Sequence, residues 1–96
     1  MIDVPQAVLV DAMACASISY WGVKRALRSG WQIEVSMMSA WLPTFYDVSM
    51  VDLARGASLL ALRAPVHFGH LIAGRADADT GDLLIQLTIF SDLKYG

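Results

Sequence analysis

Few residues in this chain have the types and spacing that support chemistry, and each has a plainer alternative. Cys15 is the one thiol. A reactive thiolate needs a histidine, a cation or a helix N-terminus to depress its pKa. No His or cation lies near Cys15 in the sequence, so a small buried hydrophobe, the usual state of free cysteine, is expected there. His67 and His70 stand three apart, a spacing that on a helix can turn two imidazoles toward one metal. Zinc sites need further Cys, His or carboxylate ligands, and none follows at a recognisable spacing. Asp77, Asp79 and Asp82 superficially resemble a calcium loop. Counted from Asp77, however, Gly81, Asp82 and Thr88 occupy loop positions that require an acid, a glycine and a glutamate. A polar turn followed by a helix capped by Asp79 is the better account. No metal and no cofactor is expected.

Two other groups qualify as binding candidates. Lys24, Arg25 and Arg28 place three cations on or near one predicted hairpin, where they could contact an anion or a phosphate. The alternative, a solvated strand face balanced by Glu34, is favoured because no aromatic cluster is interleaved with them. Tyr20, Trp21, Trp41 and Tyr46 could wall a ligand pocket or a protein interface, since aromatic side chains dominate binding hot spots. The plainer reading of Trp41, Phe45 and Tyr46 is a lid on the core.

The elements that must position these residues can be read from local pattern. Ser49 followed by Asp52 is close to a capping box and marks a helix start. Met50, Leu53, Ala54, Ala57, Leu60 and Ala61 then form one apolar stripe, with Asp52 and Arg55 opposite as a possible ion pair. Leu59 and Leu62 lie outside the stripe, which predicts cover on more than one side. Asp3 and Pro5 read as the entry of an apolar helix over residues 6–19, closed by Gly22, whose small residues Ala12, Ala14, Cys15, Ala16 and Ser17 would let another backbone approach. Arg28-Ser29-Gly30 is a turn signal, and residues 31–37 alternate apolar and polar. A hairpin follows, with a partner strand at Gly22–Leu27 and a short third strand at Thr44–Val48. Pro65 opens a further helix over residues 66–75. Residues 82–93 fit either a helix or a buried strand, and length together with the preceding cap favours the helix. The expected fold is α+β: an N-terminal helix, a small antiparallel hairpin or three-stranded sheet, then two or three helices packed on it.

The 96 residues suit one domain. Hydrophobic residues make up 56% and charged residues 17%, against about 45–50% and about 25% in ordinary domains, so apolar groups exceed what a small monomer readily hides. Self-association, as a dimer, is the expectation that follows. The longest uncharged runs, residues 12–23 and 35–46, are 12 residues long, short of the roughly 20 that span a bilayer. No basic residue precedes Lys24, unlike a secretory signal, and one cysteine forms no intrachain disulfide. A cytoplasmic setting and no membrane partner are expected. A net charge of −2 disfavours nucleic acid.

Three blocks carry a family resemblance: Ala16-Ser17-Ile18-Ser19-Tyr20-Trp21-Gly22, Asp52-Leu53-Ala54-Arg55-Gly56, and Asp82-Leu83-Leu84-Ile85-Gln86 with Phe90 and Tyr95-Gly96. In this order they resemble a family of small uncharacterised bacteriophage and prophage proteins, in which an apolar helix ends in a Gly-Gly-Ile-Asn-Tyr-Trp-Ala-like run. The first block lacks the Gly-Gly. The resemblance implies a phage or prophage origin and a helix–hairpin–helices domain, which makes the expected cytoplasm that of a host cell, and it brings no activity. No nucleophile–base pair, ligand set or phosphate-cradling glycine loop is found, so an enzyme is not expected. The expectation is a non-enzymatic interaction protein of a phage or mobile element that binds a host or phage protein, in the manner of an anti-CRISPR inhibitor of a defence complex. The alternative is a nucleotide-like ligand binder or minor enzyme with an aromatic-lined pocket.

Overall fold

The computed structural model describes residues 4–18, 21–36 and 43–93. Ser49 sits where strand turns to helix, and its hydroxyl accepts from the Asp52 amide at 3.2 Å. In return the Ser49 amide and hydroxyl each donate to the Asp52 carboxylate at 2.9 Å. The capping box is therefore complete, and α2 runs Met50–Arg63. The Ser49 amide holds the Asp52 carboxyl below its ordinary range against the opposing effect of burial, with smaller help from the Ser49 hydroxyl and the Arg55 charge. Arg55 makes no ion pair with Asp52, contrary to the i, i+3 spacing, because it reaches across to the end of another helix.

The order of elements is α1 (Gln6–Cys15), β1 (Gly22–Leu27), β2 (Gly30–Val35), β3 (Thr44–Val48), α2, α3 (Pro65–Ile72) and α4 (Ala78–Phe90). The architecture is α+β, as the pattern predicts. The strands form an antiparallel meander in the order β1-β2-β3. Leu27 pairs with Gly30 around the two residues Arg28 and Ser29. Register assigns the faces: Lys24, Ile33 and Tyr46 share the inner one, whereas Arg25, Gln32 and Asp47 share the outer one.

The molecule is built around α4 more than around α2. Its apolar residues run round most of the helix, and α1, α2, α3 and β3 all pack against it. Leu84, Ile85, Gln86 and Leu87 are all essentially inaccessible. Asp77, not Asp79, caps it, accepting from the Thr80 amide at 2.8 Å. That bond holds the Asp77 carboxyl below its usual range. Two close backbone approaches fix the helix packing. A Cβ at Gly81 would lie 2.5 Å from the Ala12 carbonyl oxygen and 2.6 Å from the Ala16 Cα. One at Gly56 of α2 would overlap the Thr88 side chain. Of the small residues at this end of the chain, Ala12 and Ala16 thus serve the approach of α4, whereas Ala14, Cys15 and Ser17 are exposed.

Other boundaries differ from the sequence pattern. The first helix stops at Cys15, because Ala16 leaves the helical region (φ −58°, ψ 134°). Gly22 begins β1 and does not close that helix. The third helix ends at Ile72, and the backbone at Gly74 takes a positive φ of 70°. Cys15 is exposed: the buried stripe of α1 is Leu9, Ala12, Met13 and Ala16, and Cys15 falls outside it. Leu59 packs against the core, while Leu62 is 80% exposed. No helix among the described residues is long and apolar enough to cross a membrane.

Candidate functional site

The binding candidates named from sequence separate in space. Trp21 is fully buried. Its ring lies 5.9 Å from that of Phe90, which Tyr46 meets edge-on at 5.8 Å. The Trp21 indole N–H donates to Asp82 Oδ1 at 3.0 Å, and Gln86 Nε2 donates to the same oxygen at 3.0 Å. Trp21 and Tyr46 therefore converge on Phe90 as parts of the core, with the indole's one polar atom satisfied. Tyr20 and Trp41 lie outside the described residues.

The three hairpin cations have three different roles. Lys24 points inward, and its ammonium donates to the carbonyls of Met13, Ala14 (3.2 Å) and Ala16 (2.7 Å). These are carbonyls that the last turn of α1 leaves without helical partners, and a cation there also opposes the helix dipole. Burial lowers the Lys24 pKa, offset in part by attraction to Cys15. Arg25, on the opposite face, pairs with Glu34 at 3.1 Å. Arg28, at the hairpin tip, is exposed and makes no hydrogen bond or ion pair among the described residues. Arg55 repeats the role of Lys24, donating to the Thr88 carbonyl at 2.7 Å near the end of α4.

Lys24→Met keeps the aliphatic stem and removes the three-carbonyl cap. A loss of about 1–2 kcal/mol is expected, read as a lower urea midpoint, with faster amide exchange confined first to the last turn of α1.

The histidines form no ligand set. His67 Nδ1 lies 2.8 Å from the Thr80 hydroxyl, and the His70 ring stacks edge-on against it at 5.8 Å. Among the described residues no three His, Cys, Asp or Glu side chains are grouped to hold a metal ion. A polar hollow of about 170 Å³ is lined in part by Tyr46, Asp52 and Arg55. Of its three charged residues, Asp52 is engaged at the helix cap and Arg55 on the Thr88 carbonyl, which leaves Asp47 at the edge of the sheet.

The feature that stands apart is a groove between α1 and the hairpin. Two adjoining hollows, of about 520 and 280 Å³, share Val10, Ala26 and Trp31. Met13 and Ala14 continue the helix wall and Lys24 the strand wall. Met50 closes one end, and the hairpin tip at Leu27 and Arg28 forms the rim, with Leu27 on the strand face that carries Arg25. The helices leave this end of the inner sheet face uncovered, so Trp31 is only half-buried and Ala26 is exposed. Sequence reasoning named Lys24 and Arg28 but missed Val10, Leu27 and Trp31. The available signal was that Val10 lies off the buried stripe of its helix.

Comparison with models of known protein families, with curated proteins and with solved structures gives no match.

Proposed function

We propose that the chain is a non-enzymatic protein-binding module and that the α1–hairpin groove is its working surface. The observation that carries this reading is an open apolar groove beside a half-buried tryptophan, with Val10 43% and Leu27 49% exposed at its edge. Tryptophan and arginine are the residues most enriched at interface hot spots, and Trp31 and Arg28 stand on the same groove. The accessible surface, 5507 Å², is close to the roughly 5,400 Å² that a compact 10.5 kDa chain exposes. The apolar excess of the sequence is thus a matter of where apolar groups lie, not of a poorly closed fold. Leu62 and Val66 are more exposed still, at the junction of α2 and α3, but they do not line this groove.

The resemblance to phage proteins supports a partner from the phage or its host, including a bacterial defence complex, met in the host cytoplasm. The aromatic-pocket alternative is weakened because Trp21 and Tyr46 pack against Phe90, while Lys24 and Arg25 face opposite sides of the sheet. The two readings separate in one experiment. Val10→Glu and Leu27→Glu are each expected to abolish retention of a specific protein from host lysate with unchanged circular dichroism. Retention unaffected by both, together with a thermal shift of several degrees by a single nucleotide, would favour the ligand-binding reading.

A further inference from the structure

We infer that the occupant of the groove is a second copy of the chain, docked about a two-fold axis so that α1 of each protomer lies over the hairpin of its partner. The inference rests on the groove being a protein-binding face and adds the identity of the protein.

The groove has two walls, and each carries one exposed charge just beyond its apolar edge: Asp11 next to Val10 on the helix wall, and Arg28 next to Leu27 on the hairpin wall. Neither makes a hydrogen bond or ion pair among the described residues. A two-fold interface must be self-complementary, since each surface meets its own copy turned around. An acid on one wall and a base on the other satisfy that requirement. The axis brings Asp11 of each protomer to Arg28 of the other, forming the same pair twice.

Shape points the same way. On α1 the residues turned away from the core include Ala7, Asp11 and Ala14, so the crest beside the groove is low and a partner backbone can come near. Trp31 offers the rigid aromatic surface that anchors interfaces well. Pairing through the free edge of β1 is the other obvious route to a dimer, and charge opposes it. Antiparallel β1 strands centred on Lys24 or on Arg25 would set that cation against its own copy, and like charges facing across strands destabilise. A stable homodimer needs roughly 800 Å² from each protomer, a modest share of the 5507 Å² available.

Sedimentation equilibrium of the purified chain tests this. The wild type is expected to have twice the 10.5 kDa chain mass at micromolar concentration. Arg28→Asp and Asp11→Arg are each expected to weaken the dimer at least tenfold, and the double variant Asp11→Arg with Arg28→Asp to return it to within about threefold of wild type. Circular dichroism and urea melting check that all variants fold. A wild-type monomer at millimolar concentration, a larger assembly, single variants without effect, or a double variant that does not recover would each overturn the inference. A monomer that still loses its lysate partner on Leu27→Glu would defeat the self-pairing and leave the protein-binding reading standing.

Discussion

Adding one methyl group at Gly81 is expected to destabilise the protein by more than about 3 kcal/mol, whereas adding one at Gly69 raises stability by about 0.5–1 kcal/mol. Both glycines lie within helices, so intrinsic propensity favours alanine equally at the two sites. The surroundings decide. At Gly69 nothing lies within 4 Å of the new carbon. At Gly81 the new carbon would stand 2.5 Å from the Ala12 carbonyl oxygen and 2.6 Å from both Ala16 Cα and Cβ. Overpacking ordinarily costs about 1–3 kcal/mol because neighbouring side chains shift. Here the obstacles are main-chain atoms and a Cβ with no rotamer to change, so α1 must move off α4 as a unit. Moving it would also pull the α1 carbonyls away from Lys24. Urea melts of Gly81→Ala and Gly69→Ala measure the contrast, and equal midpoints would show that α1 and α4 do not meet at Gly81.

Trp21→Ala is expected to cost about 3–5 kcal/mol, the range for emptying a large buried aromatic site. For a domain of this size that lowers Tm by about 4–8 °C for each kcal/mol. The substitution removes the contact with Phe90 and the indole donor to Asp82, whose carboxylate still accepts from Gln86. Trp21→Phe separates the two contributions, since it restores much of the apolar volume and not the indole N–H. Its loss is expected to be smaller, and Asp82→Ala, which removes the acceptor, is expected to weaken Trp21→Phe less than it weakens the wild type. Thermal melts of the four proteins form a double-mutant cycle. Additive losses would mean that the Trp21–Asp82 hydrogen bond contributes little.

These two sites show which parts of the molecule local pattern could announce. Ser49 and Asp52 are three residues apart and meet in space, so the start of α2 was readable, as were the strands at Gly22–Leu27 and Thr44–Val48 with the turn at Arg28-Ser29. The place of α4 at the centre was not. A helix that is apolar nearly all round has no wet face to orient it, and its neighbours come from α1, α2, α3 and β3. The role of Lys24 was hidden in the same way. Its partners lie 8 to 11 residues back on another element, so three nearby cations looked like one patch although they face different ways. Cys15 was misplaced because general preference for burial outweighed its position off the Leu9, Ala12, Met13 and Ala16 stripe. The groove draws on α1, β1, β2 and the first residue of α2, and no window of sequence contains all of them.

The proposed function has this chain work by polypeptide contact through the α1–hairpin groove. Photo-crosslinking tests it most directly, with benzoylphenylalanine placed at Leu27 on the groove rim and, as a control, at Leu62 on the far end of α2. On illumination in host lysate, the Leu27 protein is expected to form discrete adducts of polypeptide mass, its own dimer included, which Val10→Glu suppresses, while the Leu62 protein forms none in common with it. Identical adducts from both positions, or none from Leu27, would mean that the groove is not the contact surface.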